Sequence, residues 1–140
     1  MKKIMLMSLL SVFSFSTMNG QTEEKAVKKV ITAFAKAGDA NDYKSLDKLL
    51  DPNYRVVMNQ LFGSKEVSIV PKSVYVEKIK SKEWGGDTRE LDFLKVIING
   101  NTALAHVKMK GEKAVFVSLI SLVKNESGNW IMISDIPIIE

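Results

Sequence analysis

The last third of this 140-residue chain constrains its fold more than any other part. Residues 88–98, 102–110, 114–124 and 130–139 are strand-like runs rich in β-branched side chains, separated only by Asn99-Gly100-Asn101, a turn at Gly111, and the polar stretch 125–129. β-Branched residues suit a pleated surface. Links this short join antiparallel neighbours, since a parallel return needs a crossover of a dozen or more residues. The C-terminal part therefore reads as an antiparallel meander.

Alternation along these strands predicts which faces are buried. In the second run Ala103, Ala105, Val107 and Met109 alternate with Thr102, His106 and Lys108, so one face is buried and the other mostly wet. The third and fourth runs are apolar on both faces: Phe116, Ile120 and Leu122 oppose Val115, Val117, Leu119 and Val123, while Trp130, Met132 and Ile136 oppose Ile131 and Ile133. Helices can cover the Phe116 and Trp130 face. A second copy of the chain is the economical cover for the face with Val117, Leu119, Ile131 and Ile133, which predicts a homodimer.

Upstream, the apolar period lengthens to that of a helix. Ala26, Val27, Val30, Ile31, Phe34 and Ala37 recur at three-to-four spacing from Thr22, which can cap the helix, to Gly38, which suits its stop. Asp42 can cap a second short helix carrying Leu46, Leu49 and Leu50 and ending at Asp51-Pro52. Residues 54–61 and 67–70 read as a strand and its return. Pro71 then opens a third helix, with Val74, Tyr75 and Ile79 on its apolar side, that runs to about Trp84 and stops at Gly85-Gly86.

Residues 1–20 carry the pattern of a secretory signal: Lys2 and Lys3, then an apolar run from Ile4 to Phe15, then a more polar end before Gln21. This divides the chain into a signal peptide (1–20) and one domain (21–140), periplasmic or secreted, with no membrane association once the signal is gone. Removing the two lysines takes the formal charge of +4 to about +2, an excess that attracts no particular partner. With no cysteine, the domain relies on its core rather than on disulfides, and no cysteine is present to carry a lipid after the signal.

Several of these features together resemble the nuclear transport factor 2-like superfamily, in particular its branch of exported bacterial domains named putative lumazine-binding proteins. They are the amphipathic first helix, Leu49-Leu50-Asp51-Pro52-Asn53-Tyr54 leading into a strand, and Ser118-Leu119-Ile120-Ser121-Leu122-Val123-Lys124 followed by a glycine turn and Trp130-Ile131-Met132-Ile133. The resemblance spans most of residues 21–140. It implies an α+β, cystatin-like cone: three N-terminal helices packed on a curved, mainly antiparallel sheet with a pocket inside, often dimerised through the outer sheet face. The superfamily includes enzymes, small-molecule binders and proteins with neither activity shown. Where its members often carry an acidic residue followed by an aromatic, this chain has Ser118-Leu119.

Most catalytic chemistries lack their residues here. One histidine and no cysteine cannot supply the usual zinc set. No Gly-x-Ser-x-Gly elbow, calcium loop or phosphate-binding glycine loop is present. The lysines are scattered and matched by acids, unlike a nucleic-acid-binding face. His106 falls on the mixed strand face, so it is not expected to act as a base. No cofactor or metal is implied. Proton transfer in an apolar cavity would need a carboxylate with a Tyr hydroxyl, with Asp92 or Asp135 as base and Tyr54 or Tyr75 as donor. Alternation turns both Asp residues outward, so binding without chemistry is favoured. The pocket candidates are Tyr54, Met58, Trp84 and Trp130, with Ser118 and Ser134 as polar contacts on the faces of Phe116 and Trp130; core filling is the competing role for all six. The reading is thus an exported binding or accessory domain for a small apolar molecule. The alternatives are a dimeric structural module with a filled core and a cofactor-free isomerase or dehydratase.

Overall fold

The computed structural model describes residues 14–140; residues 1–13 of the expected signal peptide lie outside the described residues. Helix α1 spans Ser14–Asp39, α2 Tyr43–Lys48, β1 Leu50–Asn59, β2 Val67–Pro71 and α3 Lys72–Lys80. The meander follows as β3 Glu90–Asn99, β4 Thr102–Lys110, β5 Val115–Lys124 and β6 Trp130–Ile139. The six strands form one sheet in the order β2-β1-β6-β5-β4-β3, antiparallel throughout except where β1 runs parallel to β6.

Helix α1 is already formed at Ser14, the first described residue, well ahead of Thr22, because no proline intervenes and a lone Gly20 costs only about 1 kcal/mol in a helix. Asp42 caps α2 as expected, its side chain accepting from the Ser45 N–H at 3.1 Å. Helix α3 is shorter than its apolar pattern suggests. Pro71 precedes it as an extended N-cap, and the chain leaves the helix after Lys80 through Lys82, whose φ of 63° no helix admits.

The concave face of the sheet holds the core. Val27, Ile31 and Phe34 of α1 pack with Ala105, Val107, Ile120, Leu122 and Met132 of the strands, all essentially without exposure. Each large apolar side chain so buried contributes about 1.5–3 kcal/mol. At one end of the cone Glu23 of α1 fastens the helix to the sheet: Trp130 Nε1 donates to Glu23 Oε2 at 2.6 Å and Lys124 Nζ to Glu23 Oε1 at 2.7 Å. The Lys124 and Trp130 bonds hold the Glu23 carboxyl below its ordinary pKa.

The outer face has the apolar character expected of β5, with Leu119 42% exposed and Val117, Ile131 and Ile133 half-buried. His106 lies on this face in register with Leu119. Strand β6 corrects the predicted alternation. Its pairing with β5 slips between Ser121↔Ser134 and Leu122↔Met132, so Ile133 is an extra residue. Beyond this bulge the faces exchange: Asp135 and Pro137 are buried, and Ile136, expected on the inner face with Trp130 and Met132, is exposed on the outer one.

Candidate functional site

A cavity of about 460 Å³ opens at the end of the cone opposite Trp130. That is within the usual range for small-ligand sites. Its wall is largely apolar, with Phe34 from α1, Val56 and Met58 from β1, Tyr75 and Ile79 from α3, and Phe116 from β5; Trp84 stands at the end of the turn after α3. The rings are organised among themselves. Phe34 stacks on Tyr75 with centroids 6.0 Å apart, and Trp84 meets Tyr75 edge-on at 5.7 Å.

Polar groups gather on one side of this wall. Asp135 pairs in register with Val56 of β1 and Ile120 of β5, both inward-facing, so its carboxyl is turned into the cavity with only 7% of the residue exposed. The sequence reading placed Asp135 outward; the bulge at Ile133 reverses it. Asp92 is exposed, as expected. Ser118, fully buried, reaches the cavity from β5. Tyr54 lies behind the wall, its ring 5.6 Å from Tyr75. Tyr54 OH, Ser118 Oγ and Asp135 Oδ1 are all buried without a hydrogen-bond partner among the described residues.

Such groups are rare inside proteins, because each left unpaired costs about 1–3 kcal/mol. Burial raises the Asp135 pKa to about 6, while the nearby Ser118 hydroxyl and the Arg89 charge hold it from rising further. Burial likewise lifts the Tyr54 and Tyr75 hydroxyls above their ordinary range.

Arg89 also borders the cavity, already engaged. Its Nε donates to Asp39 Oδ1 at 2.6 Å and its Nη2 to Ala35 O at 3.0 Å, while Nη1 reaches Met109 Sδ at 3.8 Å. Asp39 also accepts from the Arg89 backbone N–H, so the guanidinium is neutralised by the carboxylate at the end of α1. Gly38 makes room for it, since a Cβ there would stand 3.0 Å from Arg89 Nη2. The turn carrying Trp84 is tied to the same helix end: Asn41 Nδ2 donates to Trp84 O at 2.7 Å and Ile79 O at 3.0 Å, and Gly86 N–H to Gly38 O at 3.2 Å. Gly85-Gly86 therefore permits a close backbone contact.

Of the six candidates from the sequence, Met58, Trp84 and Ser118 line the cavity. Tyr54 is one layer behind, and Trp130 belongs to the Glu23 clamp at the far end. Ser134 pairs with Arg55 and Ser121 on the outer side of the bulge, not on the Trp130 face as expected. Sequence reading missed Arg89, Asp39 and Phe34 as members of the site. Arg89 leaves one faint signal, as one of two arginines in a chain whose other 18 basic residues are lysines, since a planar, multidentate donor is the better partner for a buried carboxylate.

A cone of curved sheet closed by three helices over an internal cavity is the nuclear transport factor 2-like fold. Solved structures with this architecture include a nuclear transport factor 2-like protein of unknown function from Silicibacter pomeroyi (14% identity, 86% of this chain and 98% of that one, TM-score 0.74). Another, also of unknown function, is from Shewanella baltica (16% identity, 85% and 94%, TM-score 0.73). A third, from Streptomyces avermitilis, bears the name putative dehydratase (17% identity, 84% and 96%, TM-score 0.65). No curated protein matches the chain. Residues 22–136 match the family described as "Putative lumazine-binding", and the chain belongs to it.

Proposed function

We propose that this chain is an exported, non-catalytic binding domain that holds a small, mostly apolar molecule in the cavity between α3 and the sheet, and that it works as a homodimer. The observation that carries the binding reading is the set of unpartnered polar atoms, Asp135 Oδ1 and Ser118 Oγ, in a wall that is otherwise apolar. A module with a filled core has no use for a 460 Å³ space or for polar groups turned into it. The family description, which names lumazine binding, also favours a small-molecule ligand. Met58, Trp84 and Tyr75 supply apolar contact, and Ser118 with Asp135 fixes orientation.

One observation favours acid–base catalysis as a second reading. Asp135, with its pKa near 6, is poised to exchange a proton at neutral pH beside the Tyr54 and Tyr75 hydroxyls, and the Streptomyces avermitilis structure of the same fold is named a dehydratase. Both readings require a ligand first. Native mass spectrometry of protein recovered from the envelope fraction should show a chain lacking residues to about Gly20 with a small molecule retained. Met58→Trp, which fills the cavity, should lose that molecule. Equal retention by the variant would place the ligand elsewhere, and a chain still carrying residues 1–20 would end the export reading.

Homodimerisation rests on the outer face, where Leu119, Ile136 and Ile138 are exposed on adjacent strands. Each 100 Å² of such surface covered contributes about 2.5 kcal/mol. Leu119→Asp should convert a dimer to a folded monomer in light scattering after size exclusion. A wild type of single-chain mass at micromolar concentration would refute the dimer.

A further inference from the structure

We propose that the ligand of this cavity is a cationic amine carried on a flat, largely apolar body, its ammonium meeting Asp135 and its rings lying among Phe34, Tyr75 and Trp84. The inference rests on the binding reading above and adds the chemical class of what is bound.

The charges around the cavity point to this sign. Arg89 is matched by Asp39, which holds both its Nε and its backbone N–H. At the mouth Glu83 is paired with Lys78 at 2.6 Å. Asp87 accepts the backbone N–H groups of Glu112 and Lys113 at 3.1 Å each, and Lys113 Nζ lies 3.4 Å from Gly86 O. Among the described residues, Asp135 alone of these has no cation of its own. The groups facing it are the Ser118 hydroxyl from β5, the Tyr54 hydroxyl from β1, Tyr75 from α3, and the already neutralised Arg89 ahead of β3. The neutral hydroxyls can lend hydrogen bonds but no charge. With Asp135 ionised the floor carries one uncompensated negative charge in an apolar wall, a place that repels carboxylates and favours a cation.

The rings supply the second half of the argument. A cation over the face of Trp or Tyr is attracted by the ring quadrupole, more strongly when water is excluded. Tyr75 and Trp84 both border the same space as Asp135. A carboxylate backed by aromatic faces is thus suited to an ammonium, where a plain apolar ligand would leave Asp135 Oδ1 unpaired and would forfeit part of its burial energy.

Three compounds sharing one ring system test the sign: 2-naphthylmethylamine, 2-naphthalenemethanol and 2-naphthoate, titrated by calorimetry into the wild type. At pH 8 the amine should bind about 10- to 100-fold more tightly than the alcohol, with the carboxylate weakest. At pH 5 the amine is still protonated but Asp135 is mostly neutral, and the advantage should shrink about tenfold. Asp135→Asn should remove it at pH 8. Tightest binding by 2-naphthoate would make Arg89 the anchor and overturn the proposal, as would equal binding of amine and alcohol. If none of the three binds at millimolar concentration, the cavity is not a site for such molecules and the underlying binding reading falls with it. Should Asp135→Asn fail to fold, the wild-type pH series decides, since an amine advantage unchanged between pH 8 and pH 5 would overturn the assignment.

Discussion

Asp135→Asn is expected to make the protein more stable at pH 8, by about 1–3 kcal/mol. The wild-type carboxyl titrates near pH 6 in the folded state because burial penalises its charge, against about 3.9 in an unfolded chain. Between these two values the folded protein holds a proton that the unfolded chain has released. Stability is therefore greatest below about pH 4 with respect to this group and is lost as pH rises towards 6, at up to about 1.4 kcal/mol per pH unit. Above pH 6 the penalty is complete. Other carboxylates act in the opposite sense: Glu23, Asp42 and Asp87 have lowered pKa values, so their contribution is lost as pH falls. The difference between wild type and variant isolates Asp135. Urea midpoints should converge near pH 4 and separate by pH 7, with the variant higher. A variant less stable than the wild type at pH 8 would mean that the carboxylate has a stabilising partner in the protein, contrary to the burial of Oδ1 without one. A residue that costs stability where the protein works is typical of a functional site.

Gly85→Ala is expected to be destabilising by more than about 3 kcal/mol, enough to endanger folding. Gly85 has φ of 81°, where an L-residue is strained by about 1–2 kcal/mol, and a Cβ there would sit 2.3 Å from the Gly38 carbonyl oxygen and 2.8 Å from Asn41 Nδ2. The backbone of α1 cannot yield as a side chain can. The turn would have to lift, giving up the Asn41 bond to Trp84 O and the Gly86 bond to Gly38 O, and carrying Trp84 out of the cavity wall. Gly63→Ala is the natural comparison. Its φ is 80°, but no atom lies within 4 Å of an added Cβ, so only the backbone strain of about 1–2 kcal/mol should be seen. Equal losses for the two variants in chemical denaturation would show that the close contact at Gly85 contributes nothing.

What could be read from the sequence was whatever depends on near neighbours in the chain. The meander was legible because Asn99-Gly100-Asn101, Gly111 and Gly128 punctuate runs rich in β-branched residues, and β4 and β6 begin and end where their residues say they should. Asp42 announced its own cap. The cavity was legible in part: Met58, Trp84 and Ser118 sit on apolar faces at element ends that the fold brings together. Asp135 was misread because the period of two was carried across Ile133, and a bulge arises from pairing with β5 that residues 130–139 do not display. Arg89 and Asp39 are fifty positions apart, and only the folded chain makes them a pair. Ser118 on β5 brings a hydroxyl to the cavity, and a carboxylate reaches the same space from Asp135 on the neighbouring strand.

The bulge in β6 has a bearing on how such a family changes what it binds. With Ile133 present, Asp135 and Pro137 face the cavity while Ile136 and Ile138 form the outer surface. Were Ile133 instead to pair with Ser121 in a regular ladder, everything beyond it would slip by one place and the two sets would exchange. The interior would then receive isoleucines, and the acid would move to the exterior, where it would also charge the surface available to a second copy. A one-residue slip in the pairing of β6 with β5 can thus switch the polarity of the chamber and the association of the molecule together, without any substitution among the residues that do the binding. Comparisons that align side chains by position alone, as if the strand were regular, would see the same residues and miss the exchange.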